Sequence, residues 1–266
     1  MKTNYHTHHE LCGHADGKAW DYVEEAIKQG FKVLGFSDHA PSNDIKDYGV
    51  RMKMDELDTY IEDIKSAKHR AGEKIEILTG LEVEYFPNNE EYYEFLKEKT
   101  DYLIHGQHYI SYDEKFDHLI SGFGLNTKEE IIKYADFLEQ AIYSDHFLML
   151  AHPDLYMFGY KEWDETSKQV AHRICKAAES KNMILEYNSN GYRRRKQKTT
   201  DGMKNAYPRK EFWEVVKTYN IRTVINSDCH TPEFLYDDVI KEAEEDYLKL
   251  GLKTIEFIDL NDIKKR

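Results

Sequence analysis

The stretch Thr3-Asn4-Tyr5-His6-Thr7-His8 has the character of a short β-strand that ends in two histidines. Residues two apart in a strand point to the same face of a sheet, so His6 and His8 can project into one cavity. A strand followed by a potential metal ligand recurs along the chain, in segments that end in Ser37-Asp38-His39, Gly80-Leu81-Glu82, Gly106-Gln107-His108, Ala151-His152-Pro153-Asp154 and Ser227-Asp228-Cys229-His230. This recurrence indicates that one edge of a sheet carries the function.

Helical segments alternate with these short strands. The helices are predicted over residues 19–29, 54–70, 90–99, 128–143, 165–181, 209–219 and 232–250, and the strands over 3–7, 32–37, 74–85, 101–108, 147–151, 183–187 and 222–226. About seven strand-then-helix units imply parallel pairing through right-handed crossovers. We therefore predict a single α/β domain over residues 1–266, closed into a TIM-like barrel. The active site of such a barrel lies at the carboxyl ends of its strands.

The composition narrows the class of protein. The 266 residues include 50 acidic and 37 basic side chains, for a formal net charge of −13. A protein that binds nucleic acid through its phosphates usually has a basic face, so we expect no nucleic-acid partner. No apolar run approaches the ~20 residues of a membrane span, and the first histidine motif begins too early for a signal peptide. Three cysteines argue for a reducing compartment, and we expect a cytoplasmic protein without a membrane partner.

Seven histidines and two carboxylates at these strand ends form a candidate metal site. Neutral imidazole and carboxylate are ligands that suit zinc, manganese and iron. The candidate ligands are His6, His8, His14, His39, Glu82, His108, His152, Asp228 and His230. Nine ligands are too many for one tetrahedral ion, so we predict two or three divalent ions, with Glu82 bridging a pair. A water between two such ions becomes a hydroxide near neutral pH and can attack phosphorus.

Several neighbours compete with these ligands. Glu84 shares a strand face with Glu82, and periodicity does not choose between them. Cys12 is either a ligand or a small packing residue. Asp38 and His9 face away from the adjacent candidate ligands and are predicted to have structural roles. The histidines outside the motifs, which are His69, His118, His146 and His172, are expected to be ordinary surface or core residues.

From His6 to His230, the order of these motifs resembles that of the PHP (polymerase and histidinol phosphatase) superfamily. The resemblance implies a distorted (β/α)7 barrel that uses zinc, manganese or iron. It assigns His6, His8, Glu82 and Asp228 to a first metal. Glu82 would bridge to a second metal held by His108 and His152, and a third metal would be held by His14, His39 and His230.

Two further segments are similar to the monofunctional histidinol-phosphate phosphatases of that superfamily. They are 80–85, Gly-Leu-Glu-Val-Glu-Tyr, and the late segment from Glu186 to Arg193 that is followed by Tyr207-Pro208. Asn190 stands where the family usually has serine. The resemblance implies hydrolysis of L-histidinol phosphate by a metal-bridging hydroxide, with a small phosphate ester as the only predicted partner. The oligomeric state stays open.

The residues predicted to be catalytic are Glu82, His108, Asp228 and Arg193. Arg193 begins a basic run in the longest irregular stretch, 191–207, which we predict to be a loop over the site. Its guanidinium matches the geometry of a phosphate. Histidines beyond the metal ligands or Asp154 are candidate proton donors. Tyrosines and acidic residues near Tyr85 or Tyr156 are candidate contacts of the substrate's amine and ring.

Three other functions remain open. The chain could be a sister phosphoesterase that acts on nucleotides or on DNA 3′ ends. A barrel amidohydrolase also opens with His-x-His, but it often adds a carboxylated lysine. A non-catalytic metal-binding protein would carry the same ligands and turn over no phosphate ester.

Overall fold

Short buried strands alternate with amphipathic helices along the chain. The structure is a computed structural model that describes residues 1–42, 45, 49–113 and 116–261. Eight parallel strands form one sheet and follow each other across it in sequence order. They are β1 (Thr3–Asn4), β2 (Val33–Phe36), β3 (Glu76–Val83), β4 (Tyr102–His105), β5 (Met149–Leu150), β6 (Ile184–Asn188), β7 (Arg222–Asn226) and β8 (Lys253–Thr254).

Helices connect successive strands. In the described part of the chain they are α1 (Ala19–Gln29), α2 (Leu57–Ala71), α3 (Glu90–Lys99), α4 (Lys128–Tyr143), α5 (Glu165–Ser180), α6 (Lys210–Val216) and α7 (Asp238–Leu250). Two antiparallel hairpins interrupt the alternation, one of Tyr109–Ile110 with Ile120–Ser121 and one of Gln197–Thr199 with Gly202–Lys204. Among the described residues, no helix is both long enough and apolar enough to cross a membrane.

The two faces of the sheet belong to different hydrophobic clusters. Leu34 and Phe36 of β2 pack with the apolar sides of the helices in the larger cluster. Val33, which faces the opposite way, belongs to a smaller cluster made of strand residues and the C-terminal Ile258. Because side chains alternate along a strand, the smaller cluster marks the interior of the curved sheet.

The first and seventh strands meet at their carboxyl ends and close the barrel. Thr7 pairs with Cys229 in a parallel bridge, and the backbone N–H of His8 donates to the carbonyl of Cys229 at 3.0 Å. Below this bridge, the Asn4 side chain accepts a hydrogen bond from the Ser227 N–H at 2.7 Å. The last strand, β8, pairs with the opposite end of β7. The predicted distorted (β/α)7 TIM-like barrel is confirmed.

Tyr102 fills the interior of the barrel. Its hydroxyl donates to the carbonyls of Tyr5 at 2.8 Å and Phe36 at 3.0 Å, which joins three strands. A Cβ at Gly35 would lie 2.2 Å from this hydroxyl, and a Cβ at Gly80 would lie 2.5 Å from the ring. These two glycines therefore leave room for the ring, and Glu82 follows Gly80 on the same interior face.

The prediction of the elements was accurate for long periodic segments and less so at loops. Helices 90–99 and 128–143 and strand 222–226 have the predicted bounds. The predicted strand 101–108 ends at His105, because the chain leaves the sheet at Gly106. The predicted helix 232–250 is a short 3-10 turn followed by α7, which begins where Asp237 accepts a hydrogen bond from the Ile240 N–H. The predicted loop 191–207 is wrong in part, since it contains the second hairpin.

Candidate metal centre

The nine candidate ligands converge at the carboxyl ends of the strands. A cavity of about 440 Å³ opens there. Its lining includes His14, His39, Glu82, His108, His152, Asp228 and His230. His6 and His8 are fully buried and contact the same carboxylates. The structure therefore brings together side chains that are separated by more than 200 positions in the sequence.

The two carboxylate oxygens of Glu82 face two different sets of imidazoles. Oε2 lies 3.0 Å from His39 Nδ1 and 3.5 to 3.6 Å from the Nε2 atoms of His6 and His8. Oε1 lies 2.8 Å from His152 Nε2 and 3.6 Å from His108 Nε2. One carboxylate therefore stands between two groups of nitrogen donors, which is the arrangement of a bridging ligand.

Asp228 uses its two oxygens differently. Oδ1 faces the Nε2 atoms of His8 at 3.2 Å and His6 at 3.5 Å. Oδ2 accepts hydrogen bonds from the side-chain amides of Asn188 at 3.0 Å and Asn190 at 3.3 Å. These amides orient the carboxylate, so Oδ1 stays directed at the histidines.

Two glutamates that are not candidate ligands orient two of the histidines. Glu84 Oε1 lies 2.8 Å from His108 Nδ1, and its other oxygen accepts the His108 backbone N–H at 2.8 Å. Glu186 Oε1 lies 2.8 Å from His6 Nδ1. A carboxylate on Nδ1 holds the proton there and leaves Nε2 free for a metal. The choice between Glu82 and Glu84 is thus made by the geometry, with Glu82 at the centre.

Sequence reasoning missed the role of Glu186. It is fully buried on β6, where it also accepts hydrogen bonds from the His152 N–H and from the amides of Asn188 and Asn226. A charged residue inside an apolar strand was the available signal, because a carboxylate is seldom buried without partners.

Substitution of Glu186 by glutamine is expected to lower metal affinity and kcat/KM by about 10 to 100-fold. Glutamine keeps the size of the side chain but removes the charge that fixes the tautomer of His6. Titration with zinc under a competing chelator measures the affinity, and circular dichroism controls for folding. Native affinity in a folded E186Q protein would contradict this role.

The imidazoles of His14, His39 and His230 lie near one another, and the donor nitrogens of His39 and His230 are grouped with that of His8. The ring centroid of His14 lies 5.4 Å from that of His39 and 4.6 Å from that of His230. The sulfur of Cys12 also lies near the ligand nitrogens of His14 and His230. Burial raises the pKa of this thiol, which favours a packing role over a thiolate ligand.

The charges of the carboxylates and imidazoles shift each other's pKa values. Burial alone would raise the pKa of Glu82, but His108, His6 and His39 hold it well below its usual range. Burial would lower the pKa of His108, and Glu82 and Glu84 raise it to about 9. Burial and the neighbouring His8 lower the pKa of His230 to about 3. Burial would also raise the pKa of Asp228, but His6 and His8 hold it well below its usual range. Glu82 and Asp228 are therefore ionised, as metal ligands must be.

Two candidate ligands have strained backbones. His152 has φ of 31° and Asp228 has φ of 45°, in the left-handed region that residues with a Cβ rarely adopt. Such strain clusters at functional sites, where the surrounding structure maintains it. In this protein the left-handed backbone conformation directs the side chains of His152 and Asp228 from the strand ends toward the cavity.

The residues fit divalent ions. Donor atoms about 2.0–2.1 Å from a tetrahedral zinc ion are about 3.4 Å apart. The Nε2 atoms of His6 and His8 are 3.0 Å apart, and each lies 3.2 to 3.6 Å from an oxygen of Glu82 and an oxygen of Asp228. Nδ1 of His8 and of His152 are buried without a hydrogen-bond partner. The donor set and its spacing match metal coordination.

Arg193 lines the cavity, but its guanidinium pairs with Asp237 at 2.8 Å and lies over the ring of Phe234. Arg194, which the sequence did not single out from the basic run, lines the same cavity beside Tyr207. Arg51 also lines it and donates to the carbonyl of Ala40 at 2.9 Å. The cavity wall is thus more cationic than predicted.

Asp154, Tyr85 and Tyr156 do not line this cavity. Tyr85 stacks on Tyr93, and the Tyr156 hydroxyl donates to the carbonyl of Ser167. Asp154 is buried and accepts the Arg209 N–H at 2.6 Å, and its pKa is raised by burial to about 6. Both tyrosines belong to the core between the sheet and the helices.

The remaining histidines are placed apart from the cluster. His9 pairs with Asp38 at 2.9 Å, as their predicted structural roles imply. His146 pairs with Glu90, and His172 bonds the Tyr219 hydroxyl. Among the residues that the structure describes, none of the groups able to hold a metal includes them or His69 or His118.

A TIM-like barrel whose strand ends gather seven imidazoles and two ionised carboxylates is a metal-binding α/β barrel. The model of the PHP domain matches residues 4–190. The chain belongs to the PHP domain family.

Curated relatives and solved structures point the same way. A probable histidinol-phosphatase of Deinococcus radiodurans is 25% identical over 270 residues, which cover 95% of each chain. One of Schizosaccharomyces pombe is 27% identical over 256 residues, covering 87% of this chain and 81% of the relative. The histidinol phosphate phosphatase of Lactococcus lactis, solved with zinc, L-histidinol and phosphate, has a TM-score of 0.74 at 17% identity and covers 97% of each chain. This structural likeness supports the barrel fold.

Proposed function

We propose that the protein is a metal-dependent phosphomonoesterase that hydrolyses L-histidinol phosphate to L-histidinol and phosphate. The observation that carries this proposal is Glu82, whose two oxygens face separate imidazole sets at the mouth of a cationic cavity. The relatives from D. radiodurans and S. pombe support this substrate, because both are named probable histidinol-phosphatase and the match covers most of their length.

For the ligands we propose the assignment that the family resemblance implies, which the contacts of Glu82 support. His6, His8, Glu82 and Asp228 would hold one ion, and Glu82, His108 and His152 a second. His14, His39 and His230 would hold a third, with His39 also reaching Glu82. When bound, zinc, manganese or iron would activate a water and neutralise phosphate charge. The protein's own part is to direct both carboxylates at the ions and to orient His6 and His108 through Glu186 and Glu84.

Cations on the wall would hold the phosphate. In the described part of the chain, Arg194 has no carboxylate within ion-pair distance. Its guanidinium carbon lies 6.0 Å from the centroid of the Phe123 ring. The guanidinium of Arg193 has five N–H donors, so it can bind a phosphate oxygen while it keeps one hydrogen bond to Asp237. Tyr109, Tyr207 and Phe123 line the same cavity and offer aromatic surface to the rest of the ester.

Each of the substitutions Arg194→Ala and Arg193→Ala is expected to raise KM or lower kcat for L-histidinol phosphate by at least about tenfold, or about 1.4 kcal/mol. The adjacent Arg195 lies outside this cavity and provides the control, since Arg195→Ala should leave both constants near native. Steady-state kinetics on the three variants measure the effect. Near-native kinetics for R194A and R193A would remove both from the site.

Removal of the metals tests the proposed function as a whole. Dialysis against a chelator is expected to abolish hydrolysis of L-histidinol phosphate, and added zinc or manganese should restore it. A phosphate-release screen that includes ribonucleotides, sugar phosphates and a short DNA oligomer places the substrate. Turnover of a nucleotide with none of L-histidinol phosphate would assign the chain to a sister phosphoesterase. If the protein binds metal but hydrolyses none of these esters, it is a non-catalytic metal-binding protein.

A further inference from the structure

A second depression adjoins the catalytic cavity and has the opposite charge to the whole molecule. We call it the basic groove. It has a volume of about 570 Å³, and its walls include Phe123, Phe158, Lys161, Arg195, Lys196 and Lys198. No carboxylate is among the described residues that line it. The chain as a whole has 50 acidic and 37 basic residues, so four cations without an acid are an unusual local concentration.

The four cationic side chains are available to a ligand. Lys161, Arg195, Lys196 and Lys198 are all exposed. Within the described ranges, none of them has a carboxylate within ion-pair distance, whereas exposed lysines on the outer helices such as Lys28, Lys65 and Lys241 each pair with an acid three residues earlier. Like charges repel each other when they are close together, and a bound anion removes that cost.

A buried residue holds the walls of the basic groove in place. Arg209 is only 1% exposed, and its guanidinium donates to the carbonyl of Lys161 at 3.1 Å and to the Gln197 side chain at 3.4 Å. The Gln197 amide in turn donates to the carbonyl of Phe158. The hairpin that carries Lys198 is therefore tied to the loop that carries Lys161, so the groove exists before any ligand arrives.

The basic groove adjoins the catalytic cavity. Phe123 lines both, and its ring lies beneath Arg194 on the cavity side. Arg194 lines the cavity, and its neighbour in the chain, Arg195, lines the groove. Phe158 packs edge-on against Phe123 at 5.3 Å and gives the groove an apolar floor between its charges.

We propose that the basic groove is a subsite for a second phosphate group, carried by esters whose first phosphate occupies the catalytic cavity. The inference rests on the proposed function only in taking that cavity as a phosphate site. Lysine and arginine are the side chains that bind phosphate, and the floor accommodates a short apolar linker. The substrates or inhibitors of this chain then include bisphosphates in addition to monophosphates.

Non-hydrolysable ligands test the subsite without any turnover. Hexylphosphonate carries one anionic group, and alkane-1,ω-bisphosphonates with four, six or eight carbons carry two. Calorimetric titration of the metal-loaded protein is expected to give at least one bisphosphonate a Kd about tenfold or more below that of hexylphosphonate, or about 1.4 kcal/mol.

The variant Lys161→Gln, Arg195→Gln, Lys196→Gln, Lys198→Gln is expected to abolish that preference and leave the Kd of hexylphosphonate unchanged. The control replaces Lys28, Lys65, Lys99 and Lys241, which are exposed on outer helices, by glutamine. It changes the net charge equally and should keep the preference. Equal Kd values for all the phosphonates, or an unchanged preference in the groove variant, would overturn the subsite.

Hydrolysis of L-histidinol phosphate is measured on the same preparations. If the proposed function is wrong but the subsite exists, L-histidinol phosphate is not hydrolysed and the preference for a bisphosphonate is still observed. If the proposed function is right but the subsite does not exist, L-histidinol phosphate is hydrolysed and no bisphosphonate binds more tightly than hexylphosphonate.

Discussion

Replacing Glu82 by glutamine is expected to lower kcat/KM for L-histidinol phosphate by at least about 10³-fold, or about 4 kcal/mol. Glutamine has the same size but only one carbonyl oxygen and no charge, so it cannot serve two imidazole sets at once. The carboxylate is 2% exposed and stands between His39 and His152. Metal content by elemental analysis should fall together with activity.

The chain provides a matched control two residues away. Glu84 lies on the same strand face, but it contacts His108 through Nδ1 and not through the nitrogen that faces the cavity. Glu84→Gln should therefore cost only about 10 to 100-fold. Equal effects of E82Q and E84Q would place both glutamates in the same role, and the central position of Glu82 would then be wrong.

Replacing Gly106 by alanine should also inactivate the protein. A Cβ at this position would lie 1.9 Å from Oε1 of Glu82 and 2.5 Å from its Cδ. Real atoms do not approach so closely, so the carboxylate must leave the position between the imidazoles. Since catalytic groups lose much of their effect when displaced by ~1 Å, we expect a fall in kcat/KM of at least about 10²-fold. Steady-state kinetics and zinc titration measure it.

Gly124 is the control for this substitution. A Cβ there meets no atom within 4 Å, and Gly124→Ala is expected to have native kinetics. The G106A protein should keep its far-UV circular dichroism, because the clash involves a side chain and leaves the backbone of β4 intact. Native metal content in a folded G106A protein would show that Glu82 can move without loss, and the argument for its fixed position would fail.

The sequence by itself determined the class of fold and the set of candidate ligands. Strands and helices differ in hydrophobic period, so 90–99, 128–143 and 222–226 could be predicted within their observed bounds. The carboxyl ends of parallel strands meet at one edge, which is why His6, Glu82 and Asp228 could be expected together before any coordinates existed. Motif order from His6 to His230 then indicated the family.

The tertiary structure alone decided how these side chains are used. Glu82 and Glu84 are indistinguishable by period, and the choice depends on which histidine atom each meets in space. The role of Glu186 depends on its contact with His6, 180 residues away in the chain. The basic groove combines Lys161 with Lys198 through contacts of the buried Arg209. Local sequence patterns carry periodicity and residue type, whereas orientation and pairing across the barrel arise only when distant strands close on each other.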